Sequence, residues 1–137
     1  MDTLTRFGAS LPDKLLSKFD CYIKRRGYTN RSEALRDLIR DRLVDSSWKS
    51  NESACGVISL FYDHHHRNLQ NKLTDIQHDY GKIIVSTSHA HVDHHHCLEV
   101  IIVRGKAGEI QKLADKLIAT KGVLHGKLMK TSSGKGL

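Results

Sequence analysis

With one proline and three cysteines in 137 residues, this chain has little covalent or conformational bracing. Cys21, Cys55 and Cys97 are odd in number and lack disulfide-framework spacing, so they are expected as reduced thiols. No apolar run approaches the ~20 residues that span a bilayer, and no charged-then-apolar leader precedes a cleavage site. A cytoplasmic chain with no membrane partner is therefore expected. No internal repeat is visible, and the only low-complexity stretch is the Ser/Gly/Lys end "TSSGKGL". No His-Glu-x-x-His or similar pairing of ligands with a base occurs, so an enzyme is not expected.

What is present describes a folded chain. Hydrophobic residues make up 39% and charged residues 27%, too apolar a mixture for disorder. The length suits one ordinary domain or two small ones that lean on a partner. A formal charge of +7 suggests a polyanionic partner. The excess is spread evenly, however: 10 Lys+Arg face 7 Asp+Glu in residues 1–48, and 12 face 8 in the remainder. Charge alone therefore locates no nucleic-acid face.

Composition shifts at "SSWKSNESACG" (46–56), which reads as a polar connection. The expected organisation is a first module over 1–48, a linker over 49–53 and a second module over 54–137. In the first, "LTRFGASL" alternates like a strand, with Phe7, Ala9 and Leu11 facing one way and Arg6, Gly8 and Ser10 the other. Pro12 suits the first position of a helix that carries Leu15, Leu16, Phe19, Tyr22 and Ile23 on one side and stops at Gly27. Asn30 caps a second helix, with Glu33 three residues on and Ala34, Leu35, Leu38, Ile39 and Leu43 at helical spacing. A lone strand has nothing beside it, so two copies are expected to pair their strands antiparallel over four helices.

This strand–helix–helix order, with "RRGYTNRSEALRDLIRD" at its centre, resembles the ribbon-helix-helix family of DNA-binding proteins. The resemblance implies a paired ribbon in the major groove of double-stranded DNA, with Arg6, Gly8 and Ser10 turned to the bases. Arg6 is the best reader, because a guanidinium bonds guanine bidentately, whereas Gly8 offers only backbone. Arg31 and Ser32, opening the second helix, are placed to contact a phosphate.

In the second module "SACGVISLFYD" reads as a strand and "HHHRNLQNKLTDIQHDYG" as a helix. "KIIVSTSHAHV" and "HCLEVIIVRG" are strands around a turn, "KAGEIQKLADKLIATKG" is a helix and "VLHGKLMK" a last strand. The order βαββαβ is a ferredoxin-like unit with both helices on one face of an antiparallel sheet. The fold class is thus α+β: a βαα ribbon-helix-helix module joined to a βαββαβ module.

The stretch "SHAHVDHHHCLEV" (88–100) holds five of the ten histidines. His89 and His91, two apart on a strand, project from one face at roughly 6.5–7 Å, close enough to share an ion. Cys97 opens the returning strand, where hairpin pairing brings its sulfur beside them. Two imidazoles and a thiolate suit Zn, Cu, Co or Ni and not Mg or Ca. His78, ending the preceding helix, is a candidate fourth ligand. Counted from a strand start near Lys82, His89 lies roughly 23 Å from the helix–strand turn at ~3.3 Å per residue. His78 is therefore expected to serve the equivalent site of a neighbouring chain. One self-complementary interface per module gives a closed tetramer if the two join different pairs of chains, and a dimer if they join the same pair.

Together with "QH" (77–78), "HAHVDHHHC" (89–97) and "KGVLHGKL" (121–128), these features resemble the nickel-responsive NikR regulators over nearly the whole chain. The resemblance implies a ribbon-helix-helix domain joined to an ACT-type metal domain in a homotetramer. It also implies one square-planar Ni(II) per subunit on His89, His91, Cys97 and a neighbour's His78, and an accessory monovalent cation at Glu33 and Asp37. Square-planar N₃S donors suit Ni(II) or Cu(II), and Cu(II) binds more tightly, so selectivity must come from the structural response and metal availability.

Glu99, two residues past Cys97 on the same face, either bonds a ligand imidazole or is an ordinary sheet-face carboxylate. His94–His96 in the turn and His64–His66 at a helix start read as solvated, or as weak secondary binders. His125, beside Gly126 near the last strand, reads as structural or as a support to the metal ligands. The expected function is metal-gated DNA binding that represses nickel uptake, and the alternative is a metal-buffering store without gated DNA binding. A metalloenzyme is disfavoured because four protein ligands close the site. An amino-acid sensor is disfavoured by imidazole and thiol groups at the intersubunit position.

Overall fold

The computed structural model describes residues 2–137. They form two compact units, one up to Arg40 and one from Asp41 to Leu137.

In the first unit, α1 spans Asp13–Arg25 and α2 begins at Arg31 and continues to Lys49. Pro12 stands one position earlier than the sequence suggests: it is the N-cap, and its carbonyl accepts from the Leu15 and Leu16 amides at 3.0 Å. Gly27, at φ +86°, ends α1 in a left-handed turn that an L side chain would strain. There the Tyr28 amide donates to the Ile23 carbonyl and the Gly27 amide to that of Lys24, satisfying two carbonyls the helix leaves free. Asn30 caps α2, its Oδ1 accepting from the Glu33 amide at 3.0 Å. Arg31 forks onto Asp20 at 2.8 and 2.9 Å and ties the two helices together.

Residues 4–11, expected as a strand, form no ladder in the single chain and are exposed throughout. The reason is physical: a strand is defined by a hydrogen-bonded neighbour, and this unit contains no second one. Correspondingly, Phe7, Leu15, Leu38 and Ile39 leave large apolar surfaces open.

In the second unit, β1 (Ser53–Asp63), α3 (Leu69–Asp79), β2 (Ile84–His91), β3 (His96–Lys106), α4 (Ala107–Ile118) and β4 (Val123–Ser132) follow the expected order. The sheet order is β2-β3-β1-β4 with every neighbouring pair antiparallel. Alternate residues Ala54, Ile58, Leu60 and Tyr62 of β1 pack with Cys97, Ile101 and Val103 of β3 against Leu69 and Leu73 of α3 and Ile110, Leu113 and Leu117 of α4. Both helices therefore cover one face.

Two expectations need correction. The stretch 46–56 is not a loose connection: its first residues are the last turn of α2, and Trp48 is buried in the core with Nε1 donating to the Thr131 carbonyl at 3.0 Å. Its Ser/Asn content concealed one large apolar side chain on the inward face of the helix. Likewise α3 starts at Leu69 and not at the histidines. Asp63 Oδ1 accepts from the His65 amide at 2.9 Å, and Asn68 sits at φ +62°, so residues 64–68 form a turn.

Leu113 has no exposed surface. Leu113→Ala is expected to lower unfolding free energy by about 2–5 kcal/mol, measured by denaturant titration. A change no larger than that of the exposed neighbour Lys112→Ala would contradict this core assignment.

Candidate metal centre

β3 carries the centre. Its register against β1 pairs Cys97 with Tyr62 and Glu99 with Leu60, and against β2 pairs Cys97 with His91 and Glu99 with His89. Because side chains alternate along a strand, Cys97, Glu99, His89 and His91 share the helix-covered face. Cys97 is fully buried, whereas His89 and His91 lie on the exposed edge strand.

The two nitrogens of His89 have different neighbours. Nδ1 lies 3.6 Å from Cys97 Sγ, and Nε2 lies 3.0 Å from Glu99 Oε1. Bonds of about 2.3 Å to sulfur and 2.0–2.1 Å to nitrogen would set two donors of one ion roughly 3.1–3.5 Å apart. The observed pair needs only a small adjustment. An Nε2–H donated to Glu99 leaves the Nδ1 lone pair facing the thiol, so the residues fit a soft-to-borderline metal and a defined histidine tautomer.

Glu99 is only 3% exposed. Gln77 Nε2 donates to its Oε1 at 3.4 Å, and Thr87 Oγ1 donates to Gln77 Oε1 at 3.3 Å. Glu99 Oε2 and the Tyr62 hydroxyl are buried without a hydrogen-bond partner among the described residues. Burial pushes the Tyr62 phenol up from its ordinary pKa, and the Glu99 carboxylate raises it further. Tyr62, Thr87 and the ring of His64, whose centroid lies 4.7 Å from that of His91, were not legible as site residues. Only the β1–β3–β2 register reveals Tyr62 and Thr87, and only the turn after β1 brings in His64.

His78 is next to the last residue of α3 and exposed. It lines an open depression with Tyr80, Lys82, Ile83, Glu109 and Lys112, and with none of His89, His91 and Cys97. Strand length is not what separates it, contrary to the distance argument. β2 starts at Ile84 with a register shift before Ser86, and the adjacent Gln77 already reaches Glu99. Successive helix residues point about 100° apart, so His78 does not share the direction in which Gln77 reaches Glu99.

Residues 55–131 match the family described as the NikR C terminal nickel binding domain. Residues 5–46 match the ribbon-helix-helix proteins of the copG family. A nickel-responsive regulator of Solibacter usitatus is 55% identical over 135 residues, 98% of this chain and 97% of its own length. One from Thermococcus onnurineus is 49% identical over 98% of both chains. The chain belongs to the nickel-responsive regulator family. An uncharacterized Thermotoga maritima protein of solved structure shares the fold at 14% identity and a TM-score of 0.52, covering 58% of this chain and 98% of that one.

The DNA-contact and accessory-cation candidates of this NikR-family chain lie in the first unit. Arg6, Gly8 and Ser10 are exposed in the segment before α1, and a Cβ on Gly8 would meet nothing within 4 Å. Arg31 and Ser32 open α2, the Arg31 guanidinium being engaged by Asp20. Glu33 accepts from Thr29 Oγ1 at 3.3 Å, and Asp37 accepts from the Tyr28 hydroxyl at 2.6 Å. Both acidic groups thus have local partners.

Glu99→Gln keeps the side-chain volume and removes the charge that orients His89. Metal affinity is expected to fall about 10- to 100-fold, read by competition with a chelator. An unchanged affinity would reduce Glu99 to a packing residue.

Proposed function

We propose that the chain is a nickel-responsive transcriptional regulator that represses nickel-uptake genes when Ni(II) is bound. The observation that carries this reading is the buried Cys97 thiol 3.6 Å from His89, whose other nitrogen rests on buried Glu99. That donor set lies in a chain whose first residues match a DNA-binding family.

In this reading His89, His91 and Cys97 supply three ligands of one Ni(II) per subunit, and His78 of a neighbouring subunit supplies the fourth. The exposure of His78, in a depression lined by none of His89, His91 and Cys97, supports the shared site. The open apolar surfaces of α1, α2 and the preceding segment support pairing of two first units, with residues 4–11 becoming a two-stranded ribbon. The two interfaces together build a homotetramer. Arg6 and Ser10 then read base edges in double-stranded DNA, while the start of α2 at Arg31 and Ser32 faces phosphate. Since the Arg31 side chain is held by Asp20, backbone amides are the better phosphate donors there. An accessory monovalent cation at Glu33 and Asp37 would share carboxylates that already accept from Thr29 and Tyr28 through one oxygen each. A cytoplasmic location fits reduced thiols and the lack, among the described residues, of any helix long and apolar enough to cross a membrane.

Metal gating requires that the DNA-competent arrangement bind Ni(II) more tightly than its alternatives. Nickel titration of wild type and Cys97→Ala, read by the sulfur-to-nickel absorption band and by gel shift with operator DNA, tests this. The variant is expected to lose the band and the nickel-dependent shift together. Equal DNA affinity of wild type with and without nickel would overturn the gating. Mixed assembly tests sharing: His78→Ala and Cys97→Ala chains refolded together are expected to regain part of the band that neither shows alone. No recovery would place all four ligands in one chain.

A further inference from the structure

Beside the centre described above, the turn after β1 and the turn between β2 and β3 are stitched together. The His64 amide donates to the His95 carbonyl at 3.0 Å, and His64 Nε2 lies 2.9 Å from the His94 carbonyl oxygen. Asp93 Oδ1 accepts from the His95 and His96 amides, each at 2.8 Å, which fixes the second turn from within. None of these bonds uses the imidazoles of His65 or His95. On this scaffold one carboxylate oxygen of Asp63 and one ring nitrogen each of His65 and His95 lie within 4.8 Å of one another. Among the described residues this is the only such grouping of three potential ligands. Asp63 ends β1, whose place in the sheet is fixed by pairing on both sides, and His65 Nδ1 stands 3.5 Å from Asp63 Oδ1.

We propose that Asp63, His65 and His95 form a second metal site, separate from His89, His91 and Cys97, that takes a borderline divalent transition ion with water completing its coordination. Two imidazoles and a carboxylate suit Zn(II), Co(II) or Ni(II), and the lack of a thiolate separates the site chemically from the first. Donors of one such ion sit about 3–4 Å apart, so separations near the 4.8 Å limit must close by about 1 Å. Rotation of exposed imidazoles achieves that without moving backbone. Exposure and water ligands make this the weaker site, filled after the first.

Its position gives it a consequence. His64 bridges the two sites, its ring 4.0 Å from that of His65 and 4.7 Å from that of His91, centroid to centroid. His95 is two residues before Cys97. An ion joining Asp63 and His65 to His95 clamps the β2–β3 turn, which sets the spacing of His91 and Cys97. Metal supplied beyond one ion per chain therefore acts on the hairpin that holds the first ion.

The test uses the full chain and Co(II) in equilibrium dialysis. Cys97→Ala is expected to retain one weakly held Co(II) whose spectrum lacks a sulfur-to-metal band. Adding His65→Ala and His95→Ala should abolish it, and adding His125→Ala instead should leave it in place. In the background that keeps Cys97, His65→Ala with His95→Ala should lose the weak equivalent while the sulfur-to-nickel band and the circular dichroism of the fold persist. Asp63→Asn, which still accepts from the His65 amide, should weaken the site. Retention of the weak equivalent without His65 and His95 would overturn the proposal, as would loss of the sulfur-to-nickel band along with it. If Cys97→Ala instead kept the tight equivalent, the first site's assignment would fail and the second would still be judged on His65 and His95.

Discussion

The register of β3 between β1 and β2 is the constraint on which the rest depends. Cys97, Glu99, Ile101 and Val103 alternate onto the helix-covered face, so the strand that fills the core also presents the donor pair. A one-residue slip would turn Leu98, Val100 and Ile102 inward and carry Cys97 and Glu99 to the open face. Burial of Ile101 and Val103 against α4 opposes that slip. The geometry at Cys97 and His89 is therefore protected by packing energy that has nothing to do with metal.

Glu99 is the costly element of the arrangement. A buried carboxylate loses several kcal/mol of hydration unless partners replace the water. Oε1 has His89 and Gln77, but Oε2 has none, and the unpartnered Tyr62 hydroxyl lies close enough to feel its charge. Cys97, once ionised for metal binding, adds a second negative group to the same face. Two buried anionic groups disfavour each other, and a divalent cation held between His89 and Cys97 offsets both. In the proposed centre the same carboxylate that destabilises the metal-free face would strengthen metal binding and select the histidine tautomer whose Nδ1 lone pair faces Cys97.

The sequence made the elements legible where periodicity and caps were strong. β1 spans the "SACGVISLFYD" that reads as a strand, Gly27 ends α1, and Asn30 caps α2. It failed where a single residue outweighed local composition. Trp48 makes a helix turn out of a Ser-rich stretch, and the Asp63 turn keeps three histidines out of α3. The His-x-His and the following cysteine were visible as a constellation because strand geometry is local. Tyr62, Thr87 and His64 were not, because their nearness to the site depends on non-local register. The segment "LTRFGASL" shows the converse limit. Its alternation is real in the sequence, but a ladder needs a second strand, and one chain does not contain it.

That missing strand and the exposed His78 are two separate deficits, one in each unit, and in the proposed assembly other copies of the chain supply both. In that proposal the metal's contribution to gating comes down to His78. His89, His91 and Cys97 lie on paired strands of one chain and are present in any quaternary arrangement, so binding through them shifts nothing. Only the ligand donated from outside differs between arrangements. Moving a two-state equilibrium from 1:99 to 99:1 takes about 5.5 kcal/mol of differential binding. Spread over four sites of a tetramer, that is about 1.4 kcal/mol each, a tenfold preference per site. One imidazole gained or lost at each ion can supply a preference of that size. Under the proposed assembly His78 would not need to bind strongly; it would need to reach the ion in one arrangement and miss it in the other.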